Sequence, residues 1–315
     1  MYVLGIDTSN YTTSLALIDE NKNIISKKKL LPVKEGALGL RQSDAVFHHT
    51  ARLYSLYEEL VADIDCSLIG AVGVSVRPRP IEGSYMPCFL VGVNAARIIA
   101  STLKIPLYEY SHQEGHIAAA ILSSGADRLF DERFLAFNVS GGTTEAVIAE
   151  PDGFGFKLEK VACTLDLNAG QAVDRVGVML GLGFPCGKEL EKLALDYKDE
   201  VKVRPTLKGC DCCLSGLENQ CRGMYENNSS KEKIAYYCIK YIEETLGAMT
   251  DRLLEKYGQL PLLYAGGVMS NVIIKESFTA KYSALFAEPE FSSDNAAGTA
   301  YLALREYRYD KQIRA

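Results

Sequence analysis

His112 and His116, in the stretch SHQEGHIAAAIL, are half of the four histidines in the chain. Four residues apart on an α-helix, they lie on one face, one turn apart, and two imidazoles so spaced suit a single metal ion. Far along the chain, SSDNAAGTAYLAL supplies a carboxylate, Asp294, just before a second helix-like stretch. Two neutral nitrogens and one carboxylate leave coordination positions open, as a metal that handles a substrate requires. The plain alternative is two partly buried histidines bonded to backbone, because H-x3-H also arises by chance.

Small and glycine-rich turns form the second group of chemically informative residues. YVLGIDTSNYTTSLALID reads as a strand, a polar turn from Thr8 to Thr13, and a second strand. A similar unit returns at FLAFNVSGGTTEAVIAE, with Ser140, Gly141, Gly142, Thr143 and Thr144 as its turn. Hydroxyl and glycine residues at such turns let backbone N–H groups approach an anion. A single unit of this kind is a plain β-hairpin; two at matching places in two halves point to a duplicated architecture that clamps phosphate. LPLLYAGGVMSNVIIKESF adds a strand, a Gly266-Gly267 turn and a helix, an order that sets backbone amides and a helix N-terminus beside a nucleotide.

These residues need rigid elements to hold them. The chain has 315 residues, enough for two domains with separate cores. The expected division is 1–128 and 129–294, with a C-terminal helix at about 295–315 returning to the first domain. FHHTARLYSLYEELVADI has helical periodicity, with Leu53, Leu56, Leu60 and Ile64 on one face. His48 and His49 open that helix and point about 100° apart, so they read as surface or capping groups. IPLYEYS is a strand leading into the histidine pair. NAGQAVDRVGVMLGLG is a helix with Val173, Val176 and Leu180 inward and Asp174 and Arg175 toward its exposed edge.

Composition sets limits on function. Hydrophobic content of 48% and charged content of 23% are ordinary for a globular protein. A formal net charge of -6 argues against gripping nucleic acid through a strong basic surface, although a local patch or a partner can supply positive charge. No apolar run reaches the length of a membrane span. MYVLGIDTS reads as a strand rather than a signal peptide, so the expectation is a cytoplasmic protein with reduced thiols among its nine cysteines. Cys210 and Cys213 have C-x2-C spacing, but a closed zinc site would have to recruit Cys221 or Cys238 from a distance; ordinary buried cysteines are the better reading.

Taken together, LGIDTSNYTTSLAL, HQEGH, VSGGTTE, AGQAVDR, LGLGFPCGKELEKLA, LSGL, AGGVMSN and SDNAAG resemble, in order and spacing, the tRNA threonylcarbamoyladenosine transferase family, TsaD, once called the glycoprotease family. The likeness runs from Gly5 to about Ala300. It implies the ASKHA fold of actin and the sugar kinases: α/β, two similar domains, each a mixed sheet flanked by helices, with the ligand in the interdomain cleft. The implied activity is transfer of a threonylcarbamoyl group from threonylcarbamoyl-adenylate to N6 of adenosine 37 in tRNA. The implied cofactor is one divalent metal ion, iron rather than zinc, on His112, His116 and Asp294. Val139, Ser140, Gly141, Gly142 and Thr143 would line the donor; Asp174 and Gly187 would contact its ribose or adenine, and Asn271, after the Gly266-Gly267 turn, the nucleotide. Read without the resemblance, Asp174 is a solvated helix charge, Asn271 a helix cap and Gly187 a turn glycine. A smaller paralogous subunit and a P-loop ATPase are implied as partners.

The chain also departs from the family pattern. Asn10, Tyr11 and Thr12 stand where the family has Cys-Asp-Asp, and Thr143 stands for a histidine. Leu167 and Gln171 replace acidic groups, and Glu218 replaces a lysine. These losses from a polar cleft mark a diverged paralogue, and they keep a non-catalytic nucleotide-binding scaffold as the alternative. A metalloprotease would need its base directly after the first histidine. Glu114, two residues on, lies about 200° round the helix from His112. A kinase on this fold would use magnesium and carboxylates rather than two histidines.

Overall fold

The computed structural model describes residues 1–9, 11–32, 40–291 and 296–314. The chain divides into two compact units, Met1–Phe130 with Pro151–Lys157 and Glu290–Ala315, and Asp131–Glu150 with Leu158–Pro289.

The first unit is built on β1 (Tyr2–Asp7), β2 (Thr12–Asp19), β3 (Ile24–Leu30), β4 (Ile69–Arg77) and β5 (Leu107–Ser111), in the order β3-β2-β1-β4-β5. β1 pairs antiparallel with β2 and parallel with β4. After Tyr2 every residue of β1 is buried, which is why YVLGID shows no polar alternation: both faces of the strand are covered. β3 is the edge strand and carries Lys27, Lys28 and Lys29, charges that discourage pairing with another chain. On one face lie α1 (Gln42–Val61) and α2 (Phe89–Leu103), whose Leu53, Leu56, Leu60, Val93 and Ala96 close a core with Leu4, Ile6, Leu15 and Val72. α3 (His112–Ser124) and the C-terminal helix Ala297–Arg314 pack against one another and against the sheet.

The helix α1 begins at Gln42, not at the histidines. His48 and His49 therefore sit in its middle, and His49 is fully buried with Nδ1 2.8 Å from Thr13 Oγ1. The polar residues QSDA hid this first turn, and Arg41 before it makes no side-chain cap.

The second unit repeats the plan. β6 (Phe134–Val139), β7 (Thr144–Asp152), β8 (Gly155–Cys163), β11 (Leu262–Ala265) and β12 (Leu285–Phe286) run in the order β12-β11-β6-β7-β8. β6 pairs antiparallel with β7 and parallel with β11, as β1 does with β2 and β4. Around the sheet pack α4 (Ala169–Met179), α5 (Gly187–Leu195), α6 (Ser215–Glu226), α7 (Lys231–Tyr257) and α8 (Val272–Tyr282). A small hairpin of β9 (Thr206–Lys208) and β10 (Asp211–Cys213) precedes α6. α7 buries Ile234, Ile242, Leu246, Met249 and Leu253, each a contribution of roughly 1.5–3 kcal/mol of removed apolar surface. The Gly266-Gly267 turn leads into a 3-10 turn, Gly267–Ser270, so the α-helix starts at Val272, later than the sequence implies. We number the C-terminal helix α9.

Candidate functional site

In the first unit, β5 ends at Ser111, which caps α3. Its hydroxyl accepts from the Glu114 amide, and Glu114 returns a carboxylate oxygen to the Ser111 amide at 2.7 Å. The other Glu114 oxygen accepts from the Phe156 amide. Glu114 is thus a buried structural group, turned away from any role as a general base. The cap fixes where α3 begins and so makes His112 its first residue.

His112 Nδ1 lies 2.7 Å from Asp7 Oδ2 at the end of β1, and its Nε2 lies 2.9 Å from His116 Nε2. Asp7 is 1% exposed. Its Oδ2 also accepts from Ser75 Oγ at 2.8 Å, and its Oδ1 accepts from the Ser9 amide at 2.8 Å. Ser75 Oγ in turn lies 3.1 Å from Thr299 Oγ1 on α9. Burial pushes the Asp7 carboxyl up, but the His112 charge and the hydrogen bonds from His112, Ser9 and Ser75 outweigh it, and the group is held below its usual range. When the His112 ring is neutral, an Nδ1–H directed at the carboxylate leaves Nε2 as the acceptor on the side of His116.

The spacing of the two Nε2 atoms tests whether they suit a metal. Ligand nitrogens about 2.05 Å from one ion and 2.9 Å apart subtend an angle of about 90° at it. That is the angle between adjacent octahedral positions; a tetrahedral pair would sit about 3.3 Å apart. The two nitrogens are thus close enough together to serve as neighbouring ligands of one ion. Asp294 lies outside the described residues. Ala296, two positions on, donates its amide to Ser14 Oγ at 2.8 Å. Among the described residues no group of three or more His, Cys, Asp or Glu is placed to hold a metal. That statement covers Cys210, Cys213 and Cys221. Cys221 and Cys238 are core residues whose free thiols hydrogen-bond to each other, and burial pushes Cys212 up to about 12.

The two turns expected to cradle an anion differ. In the first, Thr8 Oγ1 donates to Cys88 O at 3.0 Å and accepts from the Gly92 amide at 3.1 Å. Thr12 and Thr13 belong to β2 and are buried, and Asn10 lies outside the described residues. The Thr8 hydroxyl therefore serves internal packing. The second turn is more open. Ser140 Oγ accepts from the amides of Gly142 and Thr143, and Ser140 O accepts from the Gly170 amide at 3.0 Å, which seats the turn on the first turn of α4. A Cβ on Gly170 would lie 2.5 Å from the Gly141 nitrogen. Gly266, at φ +101°, approaches so closely that a Cβ would lie 2.2 Å from Val139 O.

The remaining candidates are tied to the same region. Asp174 Oδ1 accepts from the Cys186 amide at 2.8 Å, immediately before Gly187 opens α5. Asn271 caps α8 by accepting from the Ile274 amide, and Glu191 of α5 accepts from the Val272 amide at 2.8 Å. Val139, Ser140, Gly141, Gly142, Thr143, Asp174, Gly187, Gly266, Gly267 and Asn271 thus belong to one connected region of the second unit. It lies at the carboxyl ends of the parallel strands β6 and β11, the edge where open α/β sheets bind ligands. Glu218, a charge reversal by sequence, pairs with Arg175 at 3.1 Å and Arg222 at 2.8 Å. Sequence reasoning missed Asp7 and Ser75; the one available signal was a carboxylate ending a wholly apolar strand.

The repeated sheet has the ASKHA fold. The solved structure of (R)-2-hydroxyglutaryl-CoA dehydratase component A from Acidaminococcus fermentans has this fold, with TM-score 0.55 and 14% identity over 98% of this chain and 99% of that one. A family model, TsaD: tRNA N6-adenosine threonylcarbamoyltransferase, matches residues 23–301, and the chain belongs to that family. A probable bifunctional tRNA threonylcarbamoyladenosine biosynthesis protein of Methanothermobacter thermautotrophicus is 29% identical over 98% of this chain. The chain spans only 56% of that protein's length. A tRNA N6-adenosine threonylcarbamoyltransferase of Archaeoglobus fulgidus is 26% identical, over 99% of this chain and 93% of the relative. Among the described residues no helix is long and apolar enough to cross a membrane.

Proposed function

We propose that this protein transfers a threonylcarbamoyl group from threonylcarbamoyl-adenylate to N6 of adenosine 37 in tRNA, in the cytoplasm, and that His112, His116 and Asp294 hold one divalent ion for the purpose. The observation that carries the metal reading is the 2.9 Å separation of the two Nε2 atoms with His112 Nδ1 bonded to a buried carboxylate. Two imidazoles and a carboxylate suit iron or zinc, and the family resemblance favours iron.

Bound there, the ion supplies Lewis acidity and a template for carbamate and phosphate oxygens. The donor is a mixed anhydride. The adenine amine attacks its activated carbonyl, a C–N bond forms, the C–O bond to AMP breaks, and the amine gives up one proton. No serine or cysteine nucleophile is required. The chain's part is to hold the donor and exclude alternatives. The Val139–Thr143 turn sits over the positive end of α4, an arrangement that favours an anion. A Cβ on Gly141, Gly142, Gly187 or Gly267 would meet nothing within 4 Å, and none of these residues has positive φ. Neither packing nor backbone conformation calls for glycine there; close approach of a ligand does. The smaller paralogous subunit and the P-loop ATPase implied by the family belong to the same proposal.

The test is anaerobic purification with metal analysis, then incubation with threonylcarbamoyl-adenylate and unmodified tRNA. Formation of modified adenosine that is lost in His112→Ala supports the reading. AMP release without modified adenosine would move the acceptor to another amine, and a folded protein that takes up no metal would end the metal assignment.

A further inference from the structure

We infer that Asp7 is the positioning residue for His112: a buried carboxylate, itself held by Ser75 and Ser9, that fixes the imidazole with its proton on Nδ1 and its Nε2 lone pair presented beside His116. The inference rests on the metal reading above and extends it to residues that ligate nothing.

Three observations carry it. Asp7 is 1% exposed, so a charge there is costly unless it is fully bonded, and the structure supplies three donors: His112 Nδ1 at 2.7 Å, Ser75 Oγ at 2.8 Å and the Ser9 amide at 2.8 Å. A neutral imidazole has one donor and one acceptor nitrogen, and a carboxylate at Nδ1 selects the tautomer whose acceptor is Nε2. The ring edge opposite Asp7 then faces His116 at 2.9 Å. Ser75 extends the chain of contacts to Thr299 on α9. Thr299 follows Gly298, which packs against α3, so the carboxylate is braced by the same helix contact that holds the histidine helix. A carboxylate so placed orients a ligating histidine and raises its basicity, and losing one typically weakens metal binding 10–100-fold.

The experiment uses full-length wild type, Asp7→Asn, Ser75→Ala and His116→Ala, stripped of metal and titrated with cobalt(II) under anaerobic conditions. Visible absorption reports the site. In parallel, long-range proton–nitrogen NMR of 15N-histidine protein reads each ring's tautomer, a simple spectrum with four histidines. Asp7→Asn is expected to bind cobalt 10–100-fold more weakly and to lose the single Nδ1–H tautomer of His112. Ser75→Ala keeps the carboxylate and is expected to show a smaller loss, and it stands in should Asp7→Asn fail to fold. A variant, of either kind, with wild-type cobalt affinity and an unchanged His112 tautomer overturns the positioning role. Wild type that binds no cobalt, or binds it as well as His116→Ala does, overturns the metal reading instead.

Discussion

Gly298 meets Gly115 so closely that a Cβ on Gly298 would lie 1.8 Å from the Gly115 carbonyl oxygen. This backbone contact sets how deeply α9 presses on α3, and hence where the histidine helix stands relative to Asp7. The obstruction is main chain and cannot rotate aside. Gly298→Ala should therefore cost about 1–3 kcal/mol or more by overpacking. Denaturant unfolding measures the loss, and metal titration of the folded fraction should show weaker binding. Unchanged stability would mean that the helices can separate without penalty.

Gly266 and Gly267 are neighbours with opposite expectations. Gly266 has φ +101° and backbone 2.2 Å from its missing Cβ, so Gly266→Ala should destabilise the second unit by about 1–3 kcal/mol from backbone strain alone. Gly267 faces open space. Gly267→Ala should leave stability within about 0.5 kcal/mol of wild type while weakening AMP binding, measured by calorimetry. Equal stability losses in both variants would mean that packing, not a ligand, requires the second glycine.

Asp166 gives a pH dependence of definite sign. Burial pushes its carboxyl up, but the Ser215 hydroxyl and the amides of Leu214, Leu167 and Ser215 prevail and hold it below its ordinary 3.8. A depressed folded value means stability that is fully present above about pH 4 and is lost as pH falls through the folded value. The side chain is solvent-exposed, so its screened contribution is about 1 kcal/mol. Asp166→Asn should be less stable than wild type at pH 7, with the difference shrinking below pH 3.8, as denaturant melts across pH will show.

Glu218 holds Arg175 at 3.1 Å and Arg222 at 2.8 Å. The Arg175 guanidinium, ahead of Arg222, keeps the Glu218 carboxyl below its usual range. Because the two arginines are solvent-facing, a double-mutant cycle between Arg175→Ala and Glu218→Ala should return a coupling of only about 0.2–1 kcal/mol, falling at high salt. Reversal to Glu218→Lys should place three cations together and cost more than Glu218→Ala. A lysine that is tolerated as well as alanine would mean that the two arginines do not repel a third cation there.

Much of this molecule was legible in its sequence because the relevant signals are local. YVLGID and FLAFNV announce strands covered on both faces, the 3.6-residue spacing of Leu53, Leu56 and Leu60 announces α1, and the paired strand-turn-strand units announce a duplication. The spacing of His112 and His116 was enough to place both on one helical face. The start of α1 was misplaced because its first turn is polar and lacks a side-chain cap, which buried His49 where a surface histidine was expected. That Thr8 of the first turn is held by Cys88 O and by the Gly92 amide of α2 could not be read locally, because those partners lie some eighty residues away.

What the sequence alone determined is therefore the list of elements, the repeat and the chemical types at the turns, since periodicity, capping and turn preference act over a few residues. Only the tertiary structure decided which of those groups remain available for chemistry. Thr299, Ser75 and Asp7 form a chain of contacts that ends on His112, drawn from four separate elements counting its own, because sheet pairing and a glycine-to-glycine helix contact bring them together. The physical reason is that a buried charge must find its donors wherever the fold supplies them, and those donors lie at sequence separations that burial, not local propensity, brings to bonding distance.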